Sequence, residues 1–286
     1  MSCTSPVYAL DLGIKENGKR NIKILPRRGD LSSMAQIESR FGHGHVIPLP
    51  CGKCLACRKS KAREWAVRSV LEATEYEDNC FITLTYDDAF YAPSKNHLRS
   101  DLQNFFKRLR KDYSFRYFAC CEAGSKNKRY HFHVLLFGID LDKDTLQKYW
   151  QFGFVDVGSL TPGSCFYVSQ YAEKKIFVDD NLSFITMSTH PGLGYNWLHK
   201  HVDVVKYGSV HGSFGSASLP RYFEKVASWI SDDELAQVKD DKLQKADAKK
   251  LHEMLIHGID RVEKLYEYQA NIDLNNFEHK ERRKDL

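Results

Sequence analysis

No hydrophobic run in this 286-residue sequence approaches the length of a membrane span, and the opening Met-Ser-Cys-Thr-Ser-Pro has neither the basic nor the apolar region of a secretory signal. A soluble, intracellular protein with no membrane partner is therefore expected. No internal repeat is present, which argues against a solenoid or propeller. No glycine-rich loop of the Walker A kind is present either, so nothing marks a nucleotide-driven motor. The eight cysteines, at positions 3, 51, 54, 57, 80, 120, 121 and 165, lack the spacing of a disulfide framework. Cys120 and Cys121 lie in an apolar run, which suits reduced thiols. Positive charge is missing from the tail: residues 231–286 hold 11 basic and 14 acidic side chains, against 31 and 23 in the first 230. A basic folded portion of this kind is what a phosphate-backbone partner requires.

The length allows one large domain, or one domain with an appendage. Residues 1–50 give no defined element. Helical spacing runs through Ala62, Trp65, Ala66, Ser69, Val70, Ala73 and Tyr76, with Arg58, Lys59, Lys61, Arg63 and Arg68 decorating its start. Cys80 to Tyr86 reads as a strand. Ser100-Asp101 is placed as the cap of a helix to Lys111, with Leu102, Phe105, Phe106 and Leu109 inward. Phe115 to Glu122 is a second strand, joined by a polar turn at 124–129 to a third, so that the two form a hairpin. A short helix over Thr145–Gln151, a strand over Phe152–Val157 and a helix over Cys165–Ile176 follow. Residues 179–218 read as loop-rich, and the chain is helical and charged from Leu219. This order implies an α+β fold: a central antiparallel sheet with helices on one face and a helical C-terminal extension.

The third strand contains His131-Phe132-His133. Side chains two apart on a strand share a face, so both imidazoles point the same way. Phe132, Val134 and Leu136 take the other face, while Leu135 and Phe137 continue the histidine face. Both faces are apolar beyond the histidines, as on a central strand. Either the two histidines are satisfied by backbone hydrogen bonds, or they hold a metal ion. The hairpin brings Glu122 near them, and two imidazoles with one carboxylate suit Mg²⁺ or, better for mixed nitrogen and oxygen donors, Mn²⁺. Tyr167 and Tyr171, four apart on a helix, share a face. They are either core packing or nucleophiles for a metal-bound phosphate, with Lys174 and Lys175 placed to stabilise a phenolate or a phosphate oxygen. Cys51, Cys54 and Cys57 either bind structural Zn²⁺, with Cys3, His43 or His45 as a distant fourth ligand, or are plain thiols. The basic residues that follow them suit DNA phosphates.

Three segments in order, Phe81-Ile-Thr-Leu-Thr-Tyr86, His131-Phe-His133 and Tyr167-Val-Ser-Gln-Tyr171-Ala-Glu-Lys174-Lys175, resemble the motifs of HUH endonucleases, named for His-hydrophobic-His. The resemblance is closest to rolling-circle replication initiators of gokushovirus-type Microviridae, small single-stranded DNA phages. It extends to Pro50 through Arg58, Trp65-Ala-Val-Arg68, Arg116-Tyr-Phe118, Met187 through Gly194, and Trp197, and covers about residues 50 to 200.

The resemblance implies a ferredoxin-like or RRM-like fold and a site-specific DNA nickase and strand transferase. Such an enzyme cuts one strand of the replicative form at the origin, keeps a 5′-phosphotyrosine link and leaves a 3′-hydroxyl primer. A second tyrosine later cleaves the regenerated origin, and joining releases a single-stranded circle. By position, His131, His133 and Glu122 match the metal ligands, Tyr167 and Tyr171 the nucleophiles, and Lys174 the motif lysine, with Lys175 a close substitute. Gln170 departs from a position that is often basic. Implied partners are origin DNA and a host helicase and DNA polymerase, in the cytoplasm of the bacterial host. The expected domains are 1–60 with the cysteine cluster, 61–218 with the endonuclease, and 219–286 as the charged extension. Competing readings are a non-catalytic zinc-containing nucleic-acid-binding protein, and a transposase or relaxase of the same superfamily.

Overall fold

The computed structural model describes residues 3–14, 20–25, 45–91, 94–124, 129–174, 182–227 and 232–282. In chain order, strands β1 (Val7–Ile14), β2 (Arg20–Ile24) and β3 (His45–Leu49) precede helix α1 (Leu55–Ala73), β4 (Asn79–Tyr86) and α2 (Lys95–Leu109). Then come β5 (Arg116–Ala123), β6 (Tyr130–Phe137), α3 (Lys143–Gln147), β7 (Gly153–Ser159), α4 (Pro162–Lys174) and β8 (Phe184–Met187). Next are α5 (Tyr195–Lys200), α6 (Val204–Tyr207), β9 (Ser209–Gly212), β10 (Gly215–Ser218), α7 (Arg221–Val226), α8 (Asp232–Ile256) and α9 (Val262–Arg282). The chain divides into two compact units, Met1–Arg58 with His252–Leu286, and Lys59–Leu251.

The second unit is built on a five-stranded, wholly antiparallel sheet of order β7-β4-β6-β5-β8. β6 lies at its centre because its apolar side chains alternate onto both faces, and both must be covered. On one face Ile82, Leu84, Phe132, Val134 and Leu136 pack against Leu98, Leu102, Phe105, Phe106 and Leu109 of α2 and against Trp150. On the other, Phe118, Cys120, Leu135 and Phe137 pack against Val70 of α1 and Cys165, Val168 and Tyr171 of α4. Each fully buried Leu or Phe contributes about 2 kcal/mol of hydrophobic stabilisation. The fold is α+β as expected, but helices cover both faces of the sheet rather than one.

Several element boundaries also differ from expectation. α1 begins at Leu55, well before Ala62. α2 begins at Lys95: Ser94 caps it by accepting from the His97 amide at 3.3 Å, and Leu98 carries the buried stripe one turn further back than Ser100. Asp101 instead accepts a hydrogen bond from the Tyr86 hydroxyl at 2.8 Å. α3 starts at Lys143 because the Asp142 carboxylate takes the Thr145 amide at 2.9 Å. It stops before Trp150, which turns inward and donates from Nε1 to the Thr85 carbonyl at 3.1 Å. Pro162 opens α4 three residues before Cys165, a position where a missing N–H costs nothing. Residues 175 and 176, expected in that helix, lie outside the described residues. The stretch read as loop-rich contains β8, α5, α6, β9 and β10. Leu219, Phe223 and Ala227 pack with Val67 and Leu71 in a further core cluster.

The first unit holds a three-stranded antiparallel sheet of order β2-β1-β3, where sequence periodicity showed no element. Ala9 and Leu10 are fully buried in it. Its strands are short, and β3 reaches β1 across more than thirty residues, so no local hairpin signal marks the pairing.

Candidate metal and tyrosine site

β5 and β6 pair so that Glu122 lies opposite His131, and Cys120 opposite His133. Glu122, His131 and His133 share the sheet face beneath α4. Glu122 Oε1 sits 3.2 Å from His131 Nε2 and 3.1 Å from His133 Nε2. The far ring nitrogens are also held, His131 Nδ1 at 3.3 Å from the Arg129 carbonyl and His133 Nδ1 at 3.1 Å from Thr83 Oγ1 on β4. With Nδ1 protonated and donating to these oxygens, both Nε2 atoms keep lone pairs aimed at one point beside the carboxylate.

The donor set fits a metal ion. Glu122 is 8 % and His133 6 % exposed, and a carboxylate so buried requires a compensating cation. Donors at about 2.1 Å from one ion and at right angles around it lie about 3.0 Å apart, close to the separations found. The three donor atoms all lie within 4.8 Å of one another.

The two tyrosines stand over this cluster from α4. Thr161 and Ser164 anchor the start of that helix reciprocally: the Ser164 amide donates to Thr161 Oγ1 at 3.1 Å and the Thr161 amide to Ser164 Oγ at 2.7 Å. The Tyr171 ring stacks on His133 with centroids 5.4 Å apart and planes 15° apart. Tyr167 meets the same imidazole edge-on at 5.2 Å, and the two phenol rings are 5.2 Å apart. Their exposures differ, with Tyr167 at 43 % and Tyr171 at 7 %. Burial, and then hydrogen bonds with Tyr167 and Glu122, push the Tyr171 phenol far above the usual range. Lys174 is the last residue of α4, three beyond Tyr171, and its side chain is not among those described; Lys175 lies outside the described residues.

The flanking motifs form a clamp on the segment leading into α5. Arg116 on β5 donates to Glu72 Oε1 at 2.5 Å and to the Pro191 carbonyl at 2.6 Å. Glu72 Oε2 accepts from the Gly194 amide at 2.5 Å. Arg68 donates to the Leu193 carbonyl at 3.0 Å, its guanidinium lying 4.4 Å from the Trp65 ring and 4.1 Å from that of Tyr222. Burial pulls the Arg68 pKa down to about 10. Gly194 has φ +78°, and a Cβ there would lie 2.8 Å from the Phe223 ring, so glycine is required twice over. Sequence reasoning singled out several of these residues without assigning them this role; Glu72, buried and acidic in a helix, was missed. Of the basic run read as suited to DNA, Arg63 donates to the Ser216 carbonyl at 3.0 Å and Arg58 to that of Lys53 at 3.1 Å.

In the first unit Cys51, Cys54 and Cys57 meet Cys3, all four sulfurs lying within 4.8 Å of one another. His43 lies outside the described residues, and the His45 side chain is not among those described.

A five-stranded antiparallel sheet presenting His-hydrophobic-His beside a carboxylate, faced by a helix with paired tyrosines, has the architecture of the HUH class. Residues 79–176 match the replication-associated protein family described by its ORF2 and gene-2-protein members. The chain is 29 % identical over 248 residues to "Replication-associated protein VP4" of Bdellovibrio phage phiMH2K, covering 70 % of this chain and 76 % of that one. It is 28 % identical over 262 residues to "Replication-associated protein ORF2" of Spiroplasma virus 4, covering 79 % and 80 %. A third relative, "Replication-associated protein ORF4" of Chlamydia phage 1, is 31 % identical over 165 residues, covering 48 % and 40 %. No solved structure matches. These likenesses place the chain with the phage replication-associated proteins and support a rolling-circle initiator of the gokushovirus type. Among the described residues, no helix is long and apolar enough to cross a membrane.

Proposed function

We propose that this replication initiator nicks one strand of the viral replicative form at the origin and carries the cut 5′ end as a phosphotyrosine. The observation that carries this reading is the placement of two phenols within 5.4 Å of the His133 ring, over a carboxylate shared by two imidazoles. A Mg²⁺ or Mn²⁺ ion held by Glu122, His131 and His133 would supply Lewis-acid charge at a phosphate oxygen, and Mn²⁺ suits the mixed donors better.

Tyr167 is the first nucleophile in this scheme, because its ring is accessible to a strand lying over the site. Its oxygen attacks phosphorus and its proton passes to water. The P–O bond to the 3′ oxygen breaks, and the departing end becomes a 3′-hydroxyl that primes synthesis. Tyr171, whose hydroxyl is engaged by Glu122 and Tyr167, serves the second cleavage after its hydroxyl leaves those partners. The new 3′-hydroxyl then attacks the first phosphotyrosine, freeing the phenol and closing the circle. No ATP is needed, because each phosphotyrosine conserves the energy of the bond it replaced. Lys174, with Lys175 as substitute, balances charge on the phenolate or the phosphate. A host helicase and DNA polymerase in the bacterial cytoplasm supply unwinding and synthesis.

The test is incubation of the purified protein with Mn²⁺ and a panel of single-stranded phage-origin oligonucleotides, followed by denaturing electrophoresis. A DNA adduct that resists denaturation, requires the metal and disappears in Tyr167→Phe/Tyr171→Phe is expected. Full adduct yield in the double variant would contradict the scheme. Binding with no metal-dependent cleavage of any strand would favour a non-catalytic nucleic-acid-binding protein.

A further inference from the structure

The geometry points to a closed, structural Zn²⁺ site formed by Cys3, Cys51, Cys54 and Cys57, independent of the endonuclease reading. Zn–S bonds of about 2.3 Å at tetrahedral angles set neighbouring sulfurs about 3.8 Å apart. The Cys3 and Cys54 sulfurs are 3.8 Å apart, and those of Cys51 and Cys57 4.0 Å. These two pairs are opposite edges of one tetrahedron. All four thiols are free. Four sulfurs this compact enclose a single ion; a cluster of several irons holds its cysteine sulfurs farther apart.

The backbone around the sulfurs has the form of a metal knuckle. The amides of Lys53 and Cys54 point at the Cys51 sulfur at 3.4 and 3.2 Å, the Cys57 amide at that of Cys54 at 3.5 Å, and the Cys51 amide at that of Cys3 at 3.3 Å. Such donors stabilise thiolate charge. Gly52 makes the tight turn possible with φ +71°. When Zn²⁺ enters, each thiol transfers its proton to water and each sulfur donates a lone pair to the ion, leaving a four-coordinate centre with no position for substrate.

The fourth ligand follows from strand register. β1 and β3 pair with Val7 opposite Leu49 and Tyr8 opposite Pro48, so continuing the ladder outward places Cys3 opposite Lys53, inside the knuckle. The ion therefore ties the end of the β1–β3 pair to the first turn of α1. The sheet it closes is small, with Ala9, Leu10 and Leu25 as its buried apolar residues, and a metal is the usual staple for so slight a core.

Full-length protein purified without chelator is expected to contain one zinc per chain by elemental analysis, released as one equivalent when a mercurial titrates the thiols. Cys3→Ser and Cys54→Ser should each reduce bound zinc at least tenfold, whereas Cys165→Ser, in the other unit, should leave it unchanged. Cys3→His should retain zinc, which guards against simple misfolding of the serine variants. Cobalt substitution supplies a spectroscopic check: the wild type should show the intense visible bands of a four-sulfur tetrahedral site, shifted in Cys3→His. Protein that binds no zinc on reconstitution, that carries iron in its place, or that keeps full zinc in Cys3→Ser/Cys54→Ser would overturn the proposal.

Discussion

The chain carries two clusters of metal-ligating side chains, one in each compact unit, and their chemistry differs at every level. In one, a carboxylate oxygen lies 3.1 and 3.2 Å from two imidazole nitrogens, making three donors among the described residues. In the other, four sulfurs lie at edges of 3.8 and 4.0 Å and close a tetrahedron. The first spacing suits an ion that keeps positions for an outside ligand, and two tyrosines cover it. The second suits an ion that is fully ligated. Open coordination beside a nucleophile belongs to chemistry; closed coordination at the end of a strand pair belongs to folding.

The largest effect expected in either region is the loss of Tyr167. Tyr167→Phe should lower first-strand adduct formation about a thousandfold or more, the scale seen when an enzyme loses its nucleophile. Denaturing gels of single-turnover reactions would show it, and Tyr171→Phe should retain the first cleavage while losing the second. If the two variants behave alike, the difference in exposure between the phenols does not order the steps.

Next in size is the clamp beneath the open site. Arg116→Ala leaves Glu72, 1 % exposed, without its charge partner, and should cost about 3 kcal/mol in urea unfolding. A loss below about 1 kcal/mol would mean that the pair is dispensable to the framework that carries β5. Smaller again is Thr83→Val, which removes the hydroxyl that holds His133 Nδ1. It should weaken the apparent affinity for activating metal about tenfold while leaving folding intact, as read from cleavage rate against Mn²⁺ concentration. The zinc content should not respond, which keeps the two clusters separable.

The smallest effect lies in pH dependence. Burial, and then the hydrogen bond to Asp101, raise the Tyr86 pKa well above its unfolded value of about 10. The folded state therefore holds this proton more tightly than the unfolded state. Its contribution is complete below about pH 10 and is lost as pH rises from there toward the folded value. Tyr86→Phe should flatten the fall in melting temperature between about pH 9 and 11. An unchanged slope would show that Tyr86 ionisation does not govern it.

The open site was more legible in the sequence than the closed one, for a physical reason. Glu122 and His131 are nine residues apart across a hairpin, and strand alternation alone places His131 and His133 on one face. Tyr167 and Tyr171 fall on one helical face by their spacing. Cys3, by contrast, joins Cys51 only through the non-local pairing of β1 with β3, in a region without a hairpin signal, so it stood as one of three alternatives for a fourth ligand. The two helical layers were implied by the apolar residues on both faces of β6, yet element order pointed to a single layer. The early starts of α1 and α2 follow from residues whose local roles are ambiguous in sequence: Ser94 and Ser100 are equally good caps, and burial of Leu98 decides between them.

The most direct measurement is peptide mapping of the covalent adduct. After reaction with Mn²⁺ and an origin strand, nuclease trimming and proteolysis, mass spectrometry should find the nucleotide 5′-phosphate on Tyr167 in single-turnover samples. Modification elsewhere than Tyr167 or Tyr171, or the absence of any modified peptide from protein that binds the strand, would contradict the assignment of this site to tyrosine-mediated strand transfer.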